Sequence, residues 1–265
     1  LDVHVVDIPK DLAGIAEKAR ASLIEFIADT DETFLEAYME NSDVSVNILK
    51  EAIRRATISN QVVPILVGSS LKNKGVQPLL DSIIDYLPSP IDIPAVTGQS
   101  LKGNSKICRD ASDFEPVTGL VFKMATDKFV GKLAFVRVYS GQLKKGMNLY
   151  NPRTKKRERI SRLLRLHANH REEVDILYAG DIGGIVGQKL FTTGDTICVE
   201  SDPIILENIE FPEPVISMAI EPKTTADKDT LLSALTDLVD EDPTFHNSIN
   251  EETAQTIIQG MGELH

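Results

Sequence analysis

The chain has 265 residues, of which 42% are hydrophobic and 26% are charged, the composition of an ordinary globular protein. No stretch approaches the roughly 18 apolar residues that a membrane-spanning helix needs, and two cysteines, Cys108 and Cys198, are too few for a disulfide framework, which favours a reducing, cytoplasmic setting. The net charge of −12 argues against nucleic acid as a partner, but it divides into −6 over residues 1–90, +3 over residues 91–210 and −9 over residues 211–265.

Residues 1–90 are predicted to be mainly helical. A first helix begins near residue 10, a second covers about 31–40 and a third about 45–58. In the first helix, one face carries the apolar residues Leu12, Ile15, Ala16, Ala19, Leu23 and Ile27. The continuous apolar run Val62–Val67 is typical of a strand buried on both faces. After the loop at 68–75, a further helix is predicted to turn six apolar residues inward, Val76, Leu79, Leu80, Ile83, Ile84 and Leu87.

The middle and last parts of the chain have the pattern of strands. Residues 91–113 contain prolines and glycines that predict a polar linker. Residues 114–210 hold regularly spaced β-prone runs that predict a β-barrel or sandwich: Leu120–Met124, Leu133–Tyr139, Met147–Tyr150, Ile160–Leu166, Gly183–Val186 and Thr196–Val199. Residues 211–265 show strand, helix, strand and strand in that order, the first part of a ferredoxin-like split βαβ fold. The predicted fold class is therefore multidomain α+β.

None of the phosphate-binding motifs is complete. The segment Gly141–Gly146 has the two glycines of a phosphate loop, but Met147 stands where lysine is required. Asn73 and Lys74 begin a guanine-reading Asn-Lys-x-Asp, but Val76 replaces its carboxylate. We therefore expect no catalytic residues and no nucleotide hydrolysis from these residues alone.

Metal binding is not favoured either. His167 and His170 have the spacing of two ligands on one helical turn, but no third ligand lies near and the segment reads as a strand and turn. The acidic run at Asp237–Asp242 is typical of a solvated helix end.

A basic cluster is the more informative feature of the middle segment. Eight cations fall within nineteen residues: Arg153, Lys155, Lys156, Arg157, Arg159, Arg162, Arg165 and Arg171. Alternation along a strand places Arg157 and Arg159 on one side. Such a row suits an RNA backbone, which is gripped without reading bases. It equally suits a charged hairpin that protects a sheet edge, and composition alone does not separate the two interpretations.

Several ordered motifs resemble the elongation factor G family of translational GTPases. They are Gly68–Gln77 with Asp85–Pro90, Phe122–Asp127 with Val138–Gly141, His167–Asn169, Thr193–Thr196, Phe211–Ile216 and Gly260–His265. The resemblance extends over nearly the whole chain. It implies that residues 1–90 are the end of the family's GTPase domain, including the helical insert of that domain. Residues 114–210 would be the family's second domain, a β-barrel, and residues 211–265 part of its third domain.

The resemblance also implies site residues and partners. The loop at Ser69, Ser70 and Leu71 would touch a guanine base through its backbone, with Ser70 where alanine is usual. GTP and Mg²⁺ would be cofactors of the longer parent, held by groups upstream of Leu1, and the fragment itself would bind neither. Contact with ribosomal RNA becomes the favoured interpretation for Arg153, Lys155, Lys156, Arg157, Arg159, Arg162 and Arg165.

The parent would use GTP hydrolysis to move the tRNA–mRNA complex through the ribosome in the cytoplasm. Two alternatives stay open: a fragment of a ribosomal protection protein or release-factor-type GTPase, and a non-catalytic ribosome-binding adaptor. No membrane partner is expected. The fragment is expected to be a monomer, or a dimer formed artefactually through the open strand edge of the third domain.

Overall fold

The computed structural model describes residues 6–41, 43–101, 103, 105–127, 130–167, 170–188, 190–207, 209–222, 224–253 and 255–263. These residues form five α-helices and sixteen strands, and they divide into two compact units, Leu1–Asp92 and Ile93–His265. Every strand pair among them is antiparallel. The predicted multidomain α+β class is confirmed.

The first unit is helical, as predicted. Its helices are α1 (Ala13–Thr30), α2 (Glu32–Glu40), α3 (Val46–Ile58) and α4 (Val76–Tyr86). Asp31 caps α2 by accepting a 2.7 Å hydrogen bond from the Phe34 N–H, and Ser45 caps α3. The core of this unit contains Ile27, Ala28, Phe34, Val44, Leu49, Ala52 and Ile53.

Arg54 of α3 holds the end of α4. Its guanidinium donates to the carbonyl oxygens of Ile84, Asp85 and Leu87 at 2.9–3.1 Å and to the Asp92 carboxylate at 2.6 Å. The last carbonyls of a helix lack partners within it, so one cation satisfies three of them and opposes the negative end of the helix dipole.

Two predictions about residues 62–87 are wrong. The run Val62–Val67 forms no strand, and Val63, Ile65 and Val67 are 80–95% exposed. A strand buried on both faces needs neighbouring strands and covering layers, and the described residues provide none beside this run. None of the apolar residues predicted to face inward on α4 is buried, because the described residues provide no layer that covers this face either.

The apolar face predicted for α1 is also wrong over most of its length. Only the C-terminal end of α1 is buried, through Ile27 and Ala28. Leu12, Ile15 and Leu23 are exposed. Helices α2 and α3 contact α1, and the core residues that α1 contributes come from its last turns. Helical periodicity identified an apolar stripe, but it does not identify what covers that stripe.

The second unit begins with strands β1 (Val96–Ser100) and β2 (Lys106–Arg109), which pair with each other, and β1 also pairs with β13 (Ile204–Leu206). The prediction of a polar linker over residues 91–113 missed these two strands. Prolines and glycines marked the segment as a loop. Its pairing partner β13 lies about a hundred residues away in the chain and was not predictable from local pattern.

An eight-stranded sheet forms the centre of this unit. Its strand order is β7-β6-β12-β3-β4-β11-β8-β9. The strands are β3 (Thr118–Asp127), β4 (Gly131–Ser140), β6 (Asn148–Asn151), β7 (Lys156–Arg159), β8 (Arg162–His167), β9 (His170–Val174), β11 (Ile182–Val186) and β12 (Thr196–Cys198). The short strands β5 (Leu143–Lys144) and β10 (Ile176–Leu177) pair separately.

The sheet curls into a barrel. Strand β7 is at one end of the strand order and β8 is next to the other end, yet only Ile160 and Ser161 separate them in the chain. The two ends of the sheet must therefore lie close together. The enclosed core contains Val121, Ala134, Val136, Val138, Leu143, Leu149, Ile160, Leu163, Leu177, Ile185 and Ile197, all at most 1% exposed. All six runs predicted as strands fall wholly or mostly in this barrel.

The last part of the unit contains β14 (Ile216–Ile220), α5 (Lys228–Glu241), β15 (His246–Ile249) and β16 (Thr256–Gly260). Its sheet has the order β14-β16-β15, and the predicted succession of strand, helix, strand and strand is confirmed. Asp240 and Glu241 of α5 bind the Lys132 ammonium and the Thr126 N–H of the β3–β4 hairpin. Leu264 and His265 of the predicted terminal motif lie outside the described residues, as do Ala168 and Asn169.

Candidate nucleic-acid interface

The β6–β7 hairpin carries most of the predicted cations. In this hairpin Tyr150 lies opposite Arg157 and Asn148 lies opposite Arg159. Leu149, which is buried, lies opposite Glu158. Residues directly opposite each other share a face of the sheet. Arg157 and Arg159 therefore occupy the outer face of β7, as the alternation predicted.

Arg153 lies in the turn before β7, and its charge is already paired. Its guanidinium binds the Asp195 carboxylate through two hydrogen bonds of 2.6 and 3.0 Å and also donates to the Thr192 hydroxyl. Asp195, whose side chain is 2% exposed, also accepts from the Asn151 amide at 2.8 Å and from the Thr192 N–H at 2.9 Å. The carboxylate raises the pKa of Arg153 by hydrogen bonding.

Three other predicted cations also face carboxylates. Arg157 pairs with Glu200, Arg162 with Glu173 at 3.4 Å, and Arg165 with Asp181 at 3.8 Å. Glu173 also binds Lys145 at 2.6 Å, and this contact, above all, lowers the pKa of Glu173. These pairs reduce the charge that Arg157, Arg162 and Arg165 present to solvent.

Three members of the cluster have no carboxylate partner among the described residues. Lys155 and Lys156 are exposed, and Arg159 donates only to the Gly146 carbonyl oxygen, at 3.1 Å. Lys156 and Arg159 belong to β7, an edge strand that pairs with β6 alone, and Lys155 lies in the turn just before it. They form the cationic edge, defined here as Lys155, Lys156 and Arg159. Its ability to bind RNA stays a prediction.

The loop predicted to touch guanine lies in the first unit. Ser70–Lys72 form a 3₁₀ turn, and Ser69 and Lys74 form a β-bridge with two 2.9 Å backbone hydrogen bonds. Leu71 is 97% exposed. Ser69 and Ser70 line a cavity of about 210 Å³ together with Leu66, Val67, Lys74 and Leu79, whereas Leu71 does not line it.

The residues of this loop suit a nucleotide only in part. Backbone groups next to an apolar cavity suit the flat face and edge of a base. Phosphates and Mg²⁺ need cations, a glycine-rich nest or carboxylates, and no group of three His, Cys, Asp or Glu residues suited to a metal occurs in the described part of the chain. His167 and His170 lie opposite each other across the β8–β9 hairpin rather than on a helical turn.

Both cysteines are free. Cys198 is buried in β12, and burial raises the pKa of its thiol, whereas Cys108 is exposed. Sequence reasoning missed Asn151 as a partner of Asp195, because the contact joins residues 44 apart in the chain.

Known protein families match two parts of the chain. Residues 116–200 match the family model described as elongation factor G domain 2, and residues 211–265 match the one described as elongation factor G, domain III. The two matches are consecutive and together cover more than half of the chain. The chain belongs to the elongation factor G family.

A solved structure has a similar fold. A crystal structure of a protein from Thermus thermophilus is similar to the chain with a TM-score of 0.78 and 27% sequence identity over 98% of the chain. The chain spans 37% of that protein's length. In elongation factor G terms, the barrel with the cationic edge lies within domain 2, and β14 to β16 lie within domain III. The domain boundaries at residues 90, 113 and 210 stay predictions. No helix in the described ranges is long and apolar enough to cross a membrane.

Proposed function

We propose that this chain is the ribosome-docking part of a GTP-dependent elongation factor that promotes movement of the tRNA–mRNA complex during protein synthesis. The consecutive match to elongation factor G domains 2 and III is the observation that supports this most strongly. In this proposal the two units act as scaffold, in a cytoplasmic setting, and the chemistry of hydrolysis belongs to other parts of the parent protein.

The barrel would contact ribosomal RNA through phosphates. The cationic edge would supply the most effective charges, because a cation already paired with a carboxylate must give up that pair before it can bind phosphate. Arg153, Arg157, Arg162 and Arg165 would then mainly hold the barrel edge in shape, and Lys155, Lys156 and Arg159 would provide the electrostatic attraction.

Sedimentation of the 265-residue chain with purified ribosomes tests this function. Co-sedimentation that saturates with added chain is the expected result, and a large excess of yeast tRNA should compete only weakly. A chain that stays in the supernatant at low salt would contradict the proposal.

The Ser69–Leu71 loop would touch guanine through its backbone only in company with groups that hold the phosphates and Mg²⁺. We therefore expect the chain to have no measurable affinity for GTP. Isothermal titration calorimetry with GTP and MgCl₂ checks this, and heats that fit a dissociation constant near 1 µM (about −8 kcal/mol) would contradict it.

A further inference from the structure

The loop between β2 and β3 presents an aromatic side chain to solvent. Phe114 is 98% exposed, in a chain that has only nine phenylalanines. Single exposed apolar residues are common on mobile loops and need no explanation. Phe114 calls for one because its loop is held in place at both ends.

Hydrogen bonds to the barrel fix this loop. The Ser112 carbonyl oxygen accepts from the Gly141 N–H at 2.8 Å, and the Pro116 carbonyl oxygen accepts from the Ser140 hydroxyl at 2.7 Å. Phe114 itself donates its N–H to the Ser112 hydroxyl at 3.3 Å. An aromatic ring on an ordered backbone loses little conformational entropy when it is buried by a partner, as is typical of residues that dominate binding energy.

A second aromatic residue lies on an adjoining loop. The Asp113 carboxylate accepts a 2.9 Å hydrogen bond from the Ala179 N–H, and Tyr178, the residue before Ala179, is 42% exposed. The Tyr178 N–H is itself fixed by the Asp181 carboxylate at 2.9 Å. Phe114 and Tyr178 thus stand on two loops that are bonded to each other. We call these two residues the aromatic pair.

The sequence around Phe114 is acidic, whereas on the Tyr178 loop Asp181 faces Arg165 at 3.8 Å. Asp110, Asp113 and Glu115 flank Phe114, and the cation nearest in sequence, Arg109, is buried and paired with Asp202 at 2.6 Å. Carboxylates at this density repel phosphates, so an RNA backbone does not suit this surface. A partner whose surface has lysine or arginine around an apolar pocket is complementary to this acidic, aromatic surface.

We infer that the aromatic pair anchors a protein–protein contact, in which Phe114 enters an apolar pocket rimmed by cations on the partner. The inference rests on the proposed function, within which the partner is a basic ribosomal protein. The barrel would then dock through two chemically different surfaces, the cationic edge on RNA and the aromatic pair on protein.

Photo-crosslinking tests the inference directly. The 265-residue chain with Phe114→p-benzoylphenylalanine is irradiated on purified ribosomes, and separate samples of the cross-linked material are treated with protease or with ribonuclease. We expect a cross-link to a ribosomal protein. A cross-link to RNA, a cross-link to the same chain, or none from a chain that still binds would each overturn the inference.

An affinity measurement provides the second readout. Phe114→Ala should weaken binding to the ribosome by about tenfold or more, with a loss that changes little with salt, because the contact is apolar. Phe26→Ala, which removes a half-exposed phenylalanine from α1, is the matched control and should leave affinity unchanged. If Phe114→Ala binds the ribosome with unchanged affinity, the inference about the aromatic pair is contradicted, but the proposed function is not. Absence of binding by the unsubstituted chain would contradict the proposed function and, with it, the inference.

Discussion

Asp195 is the residue on which the shape of the β6–β7 hairpin depends most. Its buried carboxylate accepts hydrogen bonds from Asn151 and Arg153, at the turn before β7, and from Thr192, in the loop before β12. The residue belongs to the Thr193–Thr196 motif that the family resemblance picked out. A carboxylate with several charge-assisted and neutral donors is costly to remove, because the donors are left without an acceptor.

Substitution Asp195→Ala should destabilise the barrel by about 2 to 3 kcal/mol, since it leaves the Thr192 N–H without an acceptor and removes the carboxylate that the Asn151 amide and the Arg153 guanidinium bind. Glu200→Ala is the control, because the Glu200–Arg157 pair is solvent-exposed and exposed pairs contribute less than about 1 kcal/mol. Urea unfolding, with hydrogen exchange at β12 to identify the barrel transition, measures both. Equal losses from the two substitutions would contradict the role given to Asp195.

Asp31 makes the stability of the first unit dependent on pH. The Arg55 guanidinium binds its carboxylate at 2.7 and 2.9 Å, and this contact, together with the Phe34 N–H, lowers the pKa of Asp31 from its ordinary 3.8 against the opposing effect of burial. A lowered folded pKa means that the ionised form stabilises the fold. That stabilisation is complete above the ordinary pKa and is lost as pH falls through the folded pKa.

The variant Asp31→Asn keeps an acceptor for the α2 cap but loses the charge that faces Arg55. At pH 7 it should be less stable than the unsubstituted chain by about 1 kcal/mol. This difference should begin to narrow as pH falls below the ordinary pKa, where the carboxylate of the unfolded chain takes up a proton, and should be smallest once pH has fallen through the folded pKa. Urea unfolding at several pH values, followed by exchange in α2, measures the difference. A difference that is the same at pH 7 and in acid would contradict this account.

At the scale of residues, the sequence predicted where the cations lie but not which of them are free of carboxylate partners and so available to bind phosphate. Arg153 and Arg157 were grouped with Lys155 and Lys156 because all four are close in the chain. Their carboxylate partners, Asp195 and Glu200, lie more than forty residues away and come near only when β12 pairs with β6. Phe114 had no sequence signal, because exposure of a single aromatic residue depends on the fold around it.

At the scale of elements, the strands of the barrel were predicted because alternation is a local property. In β4, for example, Ala134, Val136 and Val138 are buried while Phe135, Arg137 and Tyr139 lie on the other face. The elements that were predicted wrongly depend on partners that are distant in the chain. Strand β2 pairs with β1, and β1 pairs with the distant β13. The run Val62–Val67 has no neighbouring strand among the described residues.

The turn after β4 depends on a glycine. Gly141 has φ +72°, and a β-carbon there would come within 2.7 Å of the Glu115 carbonyl oxygen and of the Val117 backbone. The same turn supports the loop that carries Phe114, through the Gly141 N–H. A side chain at this position therefore meets both backbone strain and a direct clash.

Substitution Gly141→Ala should destabilise the second unit by at least about 3 kcal/mol, because strain and overpacking add. Gly131→Ala is the matched control: Gly131 has φ +76° but open space where its β-carbon would be, so the expected loss is about 1 kcal/mol. Thermal unfolding of the two variants provides the comparison. Similar losses at both positions would show that the clash against residues 115–117 is relieved by movement of the loop.

At the scale of the whole molecule, the chain combines a helical unit with a unit that contains elongation factor G domains 2 and III. Its overall charge of −12 conceals a cationic edge on the barrel and an acidic, aromatic surface at the loop before β3. Length and net charge alone would have directed attention away from RNA. The distribution of charge along the chain indicated the barrel, and strand pairing then identified the three cations without carboxylate partners among the described residues.

The most direct test of this account is the salt dependence of ribosome binding. The triple variant Lys155→Gln, Lys156→Gln, Arg159→Gln is compared with the unsubstituted chain and with a control that removes three cations from the first unit, Lys10→Gln, Lys18→Gln, Lys50→Gln. Because each phosphate contact releases counterions, the slope of log K against log salt concentration should become shallower by about 2 in the triple variant. The control should keep the full slope. A triple variant with the slope and affinity of the unsubstituted chain would contradict docking through the cationic edge.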